Sequence, residues 1–180
     1  MGEIGSEMAA RGGTAYRVGH GFDLHRLEPR APGGTGRFLV VGGVPLEHDK
    51  GPVSHSDGDA LCHAVTDAIL GAAGLPDIGQ QFPDSDPRWE SADSLELLGR
   101  AAASVRRAGW EIVNVDATVV LERPKLAAHK SQMAANLARA MGVDSARVNV
   151  KGKTHERVDA VGEGRAIEVH AVALIQRTGG

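Results

Sequence analysis

The chain holds a single cysteine, Cys62, in 180 residues, which excludes an internal disulfide; set among apolar neighbours, it reads as a small buried residue rather than a nucleophile. Aromatic residues make up only 3% of the sequence, and they are nowhere interleaved with Lys or Arg. No basic block occurs either, and a formal net charge of -3 with a pI near 6.2 argues against nucleic acid or another polyanion as partner. No run approaches the roughly 20 apolar residues of a membrane span. The opening "MGEIGSEMAARGGTA" lacks the apolar core of a secretion signal, so a cytoplasmic location is expected. Internal repeats are absent. What the chain does have is 42% hydrophobic content, enough for one compact domain with a genuine core.

Patterning divides that content. Residues 1–15 are Gly-rich and unpatterned and are expected to be a disordered tail, with residues 16–177 as a single domain. "AYRVGHGFD" and "RFLVVGGV" read as strands separated by the Pro/Gly loop "LEPRAPGGTGR" at 27–37. "DALCHAVTDAILGAAG" reads as a helix closed by Gly74, and the loop "LPDIGQQFPDSDPRW" follows it. Ser91 or Asp93 can cap a second helix, in which Leu95, Leu98, Ala102 and Val105 recur at helical spacing until Gly109. In "WEIVNVDATVVLE" either Ile112 or Val113, then Val115, Ala117, Val119 and Leu121, mark one strand face. Asn114, Asp116 and Thr118 mark the other, which must meet something polar. "HKSQMAANLARAMG" supplies a third helix whose Met133, Leu137 and Met141 read as core filling. Two last strands, "RVNVKGK" and "AIEVHAVALIQR", flank the loop "THERVDAVGEG". The order β-β-α-α-β-α-β-β predicts an α+β fold with helices layered on one face of a sheet.

Polar chemistry concentrates in "HSDGDALCH", residues 55–63. Ser56 or Asp57 can cap the helix that follows, while Asp59, His63 and Asp67 recur every four residues and share one helix face. Upstream, Asp23 and His25 lie two apart on a strand and project from the same side. Together with His63 they make one carboxylate and two imidazoles, a set that suits zinc with a fourth position open. The spacing alone leaves a second reading, in which these are ordinary satisfied turn and strand residues. His55 is expected near a helix N-terminus, a place that favours anions. Lys125, Lys151, Lys153 and Thr154 supply donors for phosphate, and Glu156 a carboxylate for magnesium. Any one of these lysines alone is commonly just solvated; the group suggests phosphate chemistry.

The segments "RVGHGFDLH", "HSDGDALCHAVTDAILGAAGLPDIGQQFPDSDP", "NVDATVVLERPKL" and "VNVKGKTHE" resemble the 2-C-methyl-D-erythritol 2,4-cyclodiphosphate synthase family, from Tyr16 to Arg177 and in the family's order. The resemblance implies cyclisation of 4-diphosphocytidyl-2-C-methyl-D-erythritol 2-phosphate to the 2,4-cyclodiphosphate with release of CMP, a step of the non-mevalonate isoprenoid route. It implies Asp23, His25 and His63 as zinc ligands and Glu156 as holder of a second divalent ion, Mg²⁺ or Mn²⁺. His55 and Thr154 become the catalytic, phosphate-orienting residues. Ser56, Asp77, Ile78, Gly79, Phe82, Asp84 and Asp86 become substrate-binding, as do Lys153 and Arg165, and Leu121, Glu122, Arg123, Pro124, Lys125 and Leu126 become the cytidine loop. The implied fold is a homotrimer of α+β subunits, each a single-layer mixed sheet with helices on one face, the sheets facing the three-fold axis and the active sites between neighbours. Ala160 stands where many members have Phe, and Glu163 and Arg165 exchange the usual acid and arginine, as in a second variant of the family. Two other classes fit the residues: a metal-dependent phosphohydrolase, and a module that only binds phosphate or nucleotide.

Overall fold

The structure, a computed structural model, describes residues 15–83, 85–89 and 91–178; the expected tail, save Ala15, and Asp84 lie outside the described residues. Five strands form one mixed sheet in the order β4-β1-β7-β5-β6. β1 (Tyr16–Pro29) runs antiparallel to both β4 (Lys50–Pro52) and β7 (Ala166–Arg177). β5 (Trp110–Val120) runs antiparallel to β7 and parallel to β6 (Val148–Lys153). The parallel pair is joined through α4 (Lys130–Met141), the crossover that a parallel connection requires. The α+β layer expected from element order is therefore present.

Several details differ from the sequence reading. β1 continues to Pro29, into the stretch 27–37 expected as a loop, and there pairs with β4, which the patterning does not mark as a strand. "RFLVVGGV" is not one strand of the sheet but a separate hairpin, β2 (Leu39–Val41) and β3 (Val44–Leu46), turned at Gly42 and Gly43 with φ of 58° and 67°. Positive φ at both turn positions is what a tight two-residue hairpin demands, and the Gly-Gly pair supplies it. In β5 the choice between Ile112 and Val113 is settled by a bulge between Ile112 and Asn114: Ile112 and Val115 both point inward, and the extra residue restores the alternation.

One face of the sheet carries the core. Ile167, Val169, Ala171, Ala173 and Ile175 of β7 are buried there against α1 (Ala60–Ala73), a helix buried on nearly every side. α3 (Ser94–Arg107) packs Leu97, Leu98, Ala101, Ala102 and Val105 over α1; Leu95, expected in that row, is only half-buried. α4 buries Met133, Leu137 and Met141, as its spacing predicts. The expected loops contain two short helices, α2 (Ile78–Gln81) and α5 (Asp159–Gly162). The opposite sheet face is covered by no element among the described residues and shows Val18, Phe22, Leu24 and Val172 to solvent. Its polar side chains pair among themselves: Asp116 accepts from Asn149 and Lys151, and His170 lies between His20 and Glu168. No described helix is long and apolar enough to cross a membrane.

A candidate metal and phosphate site

Glycines in β1 set the geometry. A Cβ on Gly19 would fall 2.0 Å from the Ala68 carbonyl oxygen, and one on Gly21 would fall 1.9 Å from that of Ala64, so α1 lies directly on the strand backbone. One and two steps further along the same strand face come Asp23 and His25, and the first turn of α1 delivers His63 against them. Asp23 Oδ2 is 3.0 Å from Nδ1 of His63 and 3.0 Å from Nδ1 of His25, and the two imidazoles are 5.3 Å apart. One ligand atom from each of the three residues falls within 4.8 Å of the others.

The donor set fits a metal. His63 Nε2 lies 2.9 Å from Ser94 Oγ, which donates to Asp57 Oδ1 at 2.5 Å. With the Ser94 proton committed to Asp57, Ser94 Oγ accepts from Nε2–H, which leaves the Nδ1 lone pair of His63 facing Asp23. Nδ1 of His25 is buried without a hydrogen-bond partner among the described residues; its 3.0 Å contact with Asp23 is out of line for one. A carboxylate and two imidazole nitrogens converging in this way suit a cation between them. The electrostatics agree. Burial pushes the Asp23 carboxyl up, but the adjacent His25 and His63 rings outweigh it and hold the pKa at about 2, so the carboxylate stays charged. Burial pulls the His63 imidazole down, yet the facing Asp23 carboxylate leaves it raised overall, so the pocket favours positive charge beside Asp23.

The acidic helix start turns out to be divided between roles. Asp59, not Ser56 or Asp57, caps α1: it accepts from Leu61 and Cys62 N–H and also from Gly42 and Gly43 N–H of the hairpin turn. Asp59 therefore holds fold, not ligand, and its carboxylate fills the place where a phosphate would meet the N-terminus of α1. His55 sits five residues ahead of that helix, exposed on the cavity rim, so the expected anion site at the helix end is not formed there. Asp67 accepts from Ile78 N–H at 2.9 Å and positions α2 rather than a ligand.

Around the triad lies a cavity of about 220 Å³ lined by Ser54, His55, Ser56, Ile78, Gly79 and Phe82, with Trp89 and Leu97. Ser56 Oγ is 3.2 Å from His63 Nε2. Asp77 caps α2 through Gln80 N–H, and Asp86 is held by Arg88 outside the lining. Trp89 meets Phe82 edge to face at 5.1 Å and was not singled out from sequence, nor were Ser94 and Asp57 as supports of His63. Tryptophan in a loop carries no spacing signal; the Ser94 link spans 31 residues and appears only in three dimensions.

A second cavity, of about 320 Å³, is lined by Leu121, Lys125, Leu126, Ala127, Lys130, Gly152, Lys153, Thr154 and Glu156. It unites the expected cytidine loop with the "KGKTHE" strand end, since Leu121 N–H donates to the Lys153 carbonyl. Glu122, Arg123 and Pro124 belong to the same loop but not to the lining, and Glu122 keeps a buried carboxylate oxygen without a partner among the described residues. Thr154 Oγ1 donates to Glu156 Oε1 at 3.1 Å, and Glu156 and Arg157 hold φ of 52° and 66°, strain of the kind stored at functional sites. The two cavities share no lining residue. Arg165 lies apart from both, paired with Glu163 at 2.5 Å beside Arg26, Leu27 and Glu28. Ala160 packs into a small cluster with Val120, Val161 and Ala166.

The YgbB family profile matches residues 16–176. The chloroplastic 2-C-methyl-D-erythritol 2,4-cyclodiphosphate synthase of Oryza sativa subsp. japonica is 52% identical over 162 residues, 90% of this chain and 70% of the relative. Among solved structures, the bifunctional IspDF protein of Campylobacter jejuni superposes with a TM-score of 0.83 at 39% identity over 90% of this chain, which spans 42% of that larger chain. The CDP complex of IspF from Plasmodium falciparum gives a TM-score of 0.77 at 33% identity, covering 92% of this chain and 98% of its own. A profile match running from the first strand to the last, over a fold whose glycine-seated helix brings Asp23, His25 and His63 together, makes this chain a member of the YgbB family.

Proposed function

We propose that this chain is a 2-C-methyl-D-erythritol 2,4-cyclodiphosphate synthase, releasing CMP from 4-diphosphocytidyl-2-C-methyl-D-erythritol 2-phosphate in the non-mevalonate route to isoprenoids. The observation that carries the reading is the pairing of a His/His/Asp cation site with a lysine-rimmed nucleotide-sized cavity, in a chain 52% identical to a relative bearing that name and similar in fold to one crystallised with CDP. Asp23, His25 and His63 would hold zinc, and Glu156 a second divalent ion, Mg²⁺ or Mn²⁺. Bound there, the ions supply charge neutralisation and polarisation of the diphosphate.

The chain's own residues do the rest by placement. The substrate brings its nucleophile: an oxygen of the 2-phosphate forms the new bond to the β-phosphorus. The bond from that phosphorus to the oxygen bridging to the α-phosphate breaks, and CMP departs with the electron pair. No protein nucleophile is needed, and the buried Cys62, its thiol pKa pushed well up by burial, is in keeping with that. Ser56, Ile78, Gly79 and Phe82 would wall in the methylerythritol part, and Asp77, Asp84 and Asp86 are proposed as further substrate-binding residues. Leu121 to Leu126 would seat the cytidine, and His55, Thr154 and Lys153 would orient phosphate oxygens in line for attack. Arg165 would contact substrate only from a neighbouring chain, because it lines neither of the two site cavities of its own chain.

The assembly we infer is a homotrimer with the sheets facing the three-fold axis. Support comes from the uncovered apolar sheet face and from two cavities that share no residue, as halves of a site completed by a neighbour would not. A cytoplasmic setting accords with a single unpaired, buried thiol. The test is a ³¹P NMR product analysis of zinc-loaded protein with Mg²⁺ and the diphosphocytidyl substrate. CMP and a cyclic diphosphate in equal amounts are expected; inorganic phosphate would make it a phosphohydrolase, and unchanged substrate a binding module.

A further inference from the structure

Lysine is scarce in this chain, five residues against fifteen arginines, yet three of the five line one cavity. The other two are occupied: Lys50 Nζ donates to the Gly164 carbonyl at 2.7 Å, and Lys151 pairs with Asp116. Lys125, Lys130 and Lys153 form no ion pair or side-chain hydrogen bond among the described residues, and the single carboxylate in their cavity, Glu156, is engaged by Thr154. Lys125 and Lys153 sit on exposed loop and strand ends. Lys130 differs, being half-buried as the first residue of α4.

That placement runs against local preference. A cation at the positive end of a helix dipole is unfavourable, and α4 offers no compensation: it has no acidic residue in its first turn, and His129 makes no side-chain cap. Where a residue violates a local rule without a local partner, an external partner is the economical explanation. Three free ammonium groups around a cavity of about 320 Å³ fit a ligand with several negative oxygens.

We propose that Lys130 completes a three-ammonium clamp with Lys125 and Lys153 that binds the phosphate groups of the nucleotide, so that this cavity selects for charge as well as for base. The proposal rests on the nucleotide reading of the cavity given above. Lys130 acts as a binding residue here, and it should contribute equally to ground and transition states.

Calorimetric titration of the zinc-loaded protein with CDP and with cytidine separates the possibilities. Lys130→Gln should weaken CDP roughly fivefold to tenfold, the effect shrinking in high salt, as for a half-exposed charge-assisted contact. Lys130→Arg should bind CDP nearly as the wild type does, and cytidine should not distinguish the three proteins. In turnover, Lys130→Gln should raise KM with kcat unchanged. Unaltered CDP affinity in Lys130→Gln, or an equal loss for CDP and cytidine, would sink the phosphate clamp while leaving the nucleotide pocket standing. Wild-type protein that bound no CDP would sink the pocket reading and the clamp with it.

Discussion

Ser94 does more for the cation site than its hydroxyl alone suggests, because its bond to Asp57 fixes which nitrogen of His63 carries the proton. Removing a group that orients a metal-bound histidine typically weakens the metal by roughly 10- to 100-fold. Ser94→Ala should therefore lose zinc to a competing chelator in about that range while melting close to the wild type; unchanged zinc affinity would leave Ser94 only a tether between α3 and Asp57. His63→Ala should go further and drop the zinc content, about one per chain by elemental analysis, to background. Glu156→Gln should retain zinc and fold but lose most turnover, since an amide is a poor ligand for a hard cation; near-normal activity in saturating Mg²⁺ would make Glu156 a surface residue. Asp59 belongs to the fold instead. Asp59→Ala strips a cap and leaves the Gly42 and Gly43 N–H groups unpaired in a closed turn, which should lower stability by about 3 kcal/mol in urea unfolding. At this scale spacing paired Asp23 with His25 on one strand face but left an ordinary structural reading open, and the approach of His63, 40 residues on, is seen only in the fold. The sequence reading misassigned the cap, since Asp57 and Asp59 are equivalent by composition and only the hairpin turn above Asp59 distinguishes them.

Two glycines decide how the first strand and the first helix meet. Gly21→Ala would push its methyl into the Ala64 carbonyl, and the backbone on both sides must give way. A stability loss of roughly 2–3 kcal/mol is expected. The more telling effect is on metal: α1 carries His63, so its displacement should weaken zinc although no ligand is altered. Full zinc affinity in a destabilised Gly21→Ala would show that the site tolerates the shift and that the close approach serves packing only. The helices were legible because their apolar residues recur at helical spacing, from Leu98 to Val105 and from Met133 to Met141. The hairpin was not, although Gly42-Gly43 between apolar residues is a turn signal, because an unbroken apolar run masks the reversal. The bulge in β5 was visible only as an ambiguity between Ile112 and Val113.

Among the described residues the sheet has one face buried by helices and the other open, carrying Val18, Phe22, Leu24 and Val172. Val18→Glu lies far along β1 from the ligands and should leave zinc binding intact while shifting the sedimentation coefficient from trimer to monomer and abolishing turnover. A trimeric, active Val18→Glu would place the interface elsewhere. Sequence patterning marks only the polar face of β5, at Asn114, Asp116 and Thr118, as needing a partner; it does not mark the apolar patch of β1, and which neighbour completes which cavity is a matter of geometry between chains that strand periodicity does not carry. We infer that the zinc half of the site, at Asp23, His25 and His63, and the nucleotide half, at Thr154 and Glu156, meet across a subunit boundary. Two inactive variants, His63→Ala and Glu156→Gln, unfolded together and refolded as an equal mixture, test it directly. In a closed ring each boundary draws one half from each neighbour, so about a quarter of the sites, one half times one half, should be intact. Roughly a quarter of wild-type activity in the mixture, absent when either variant is refolded alone, is the predicted result; a mixture as inactive as its components, with mixed trimers shown to have formed, would place both halves in one chain.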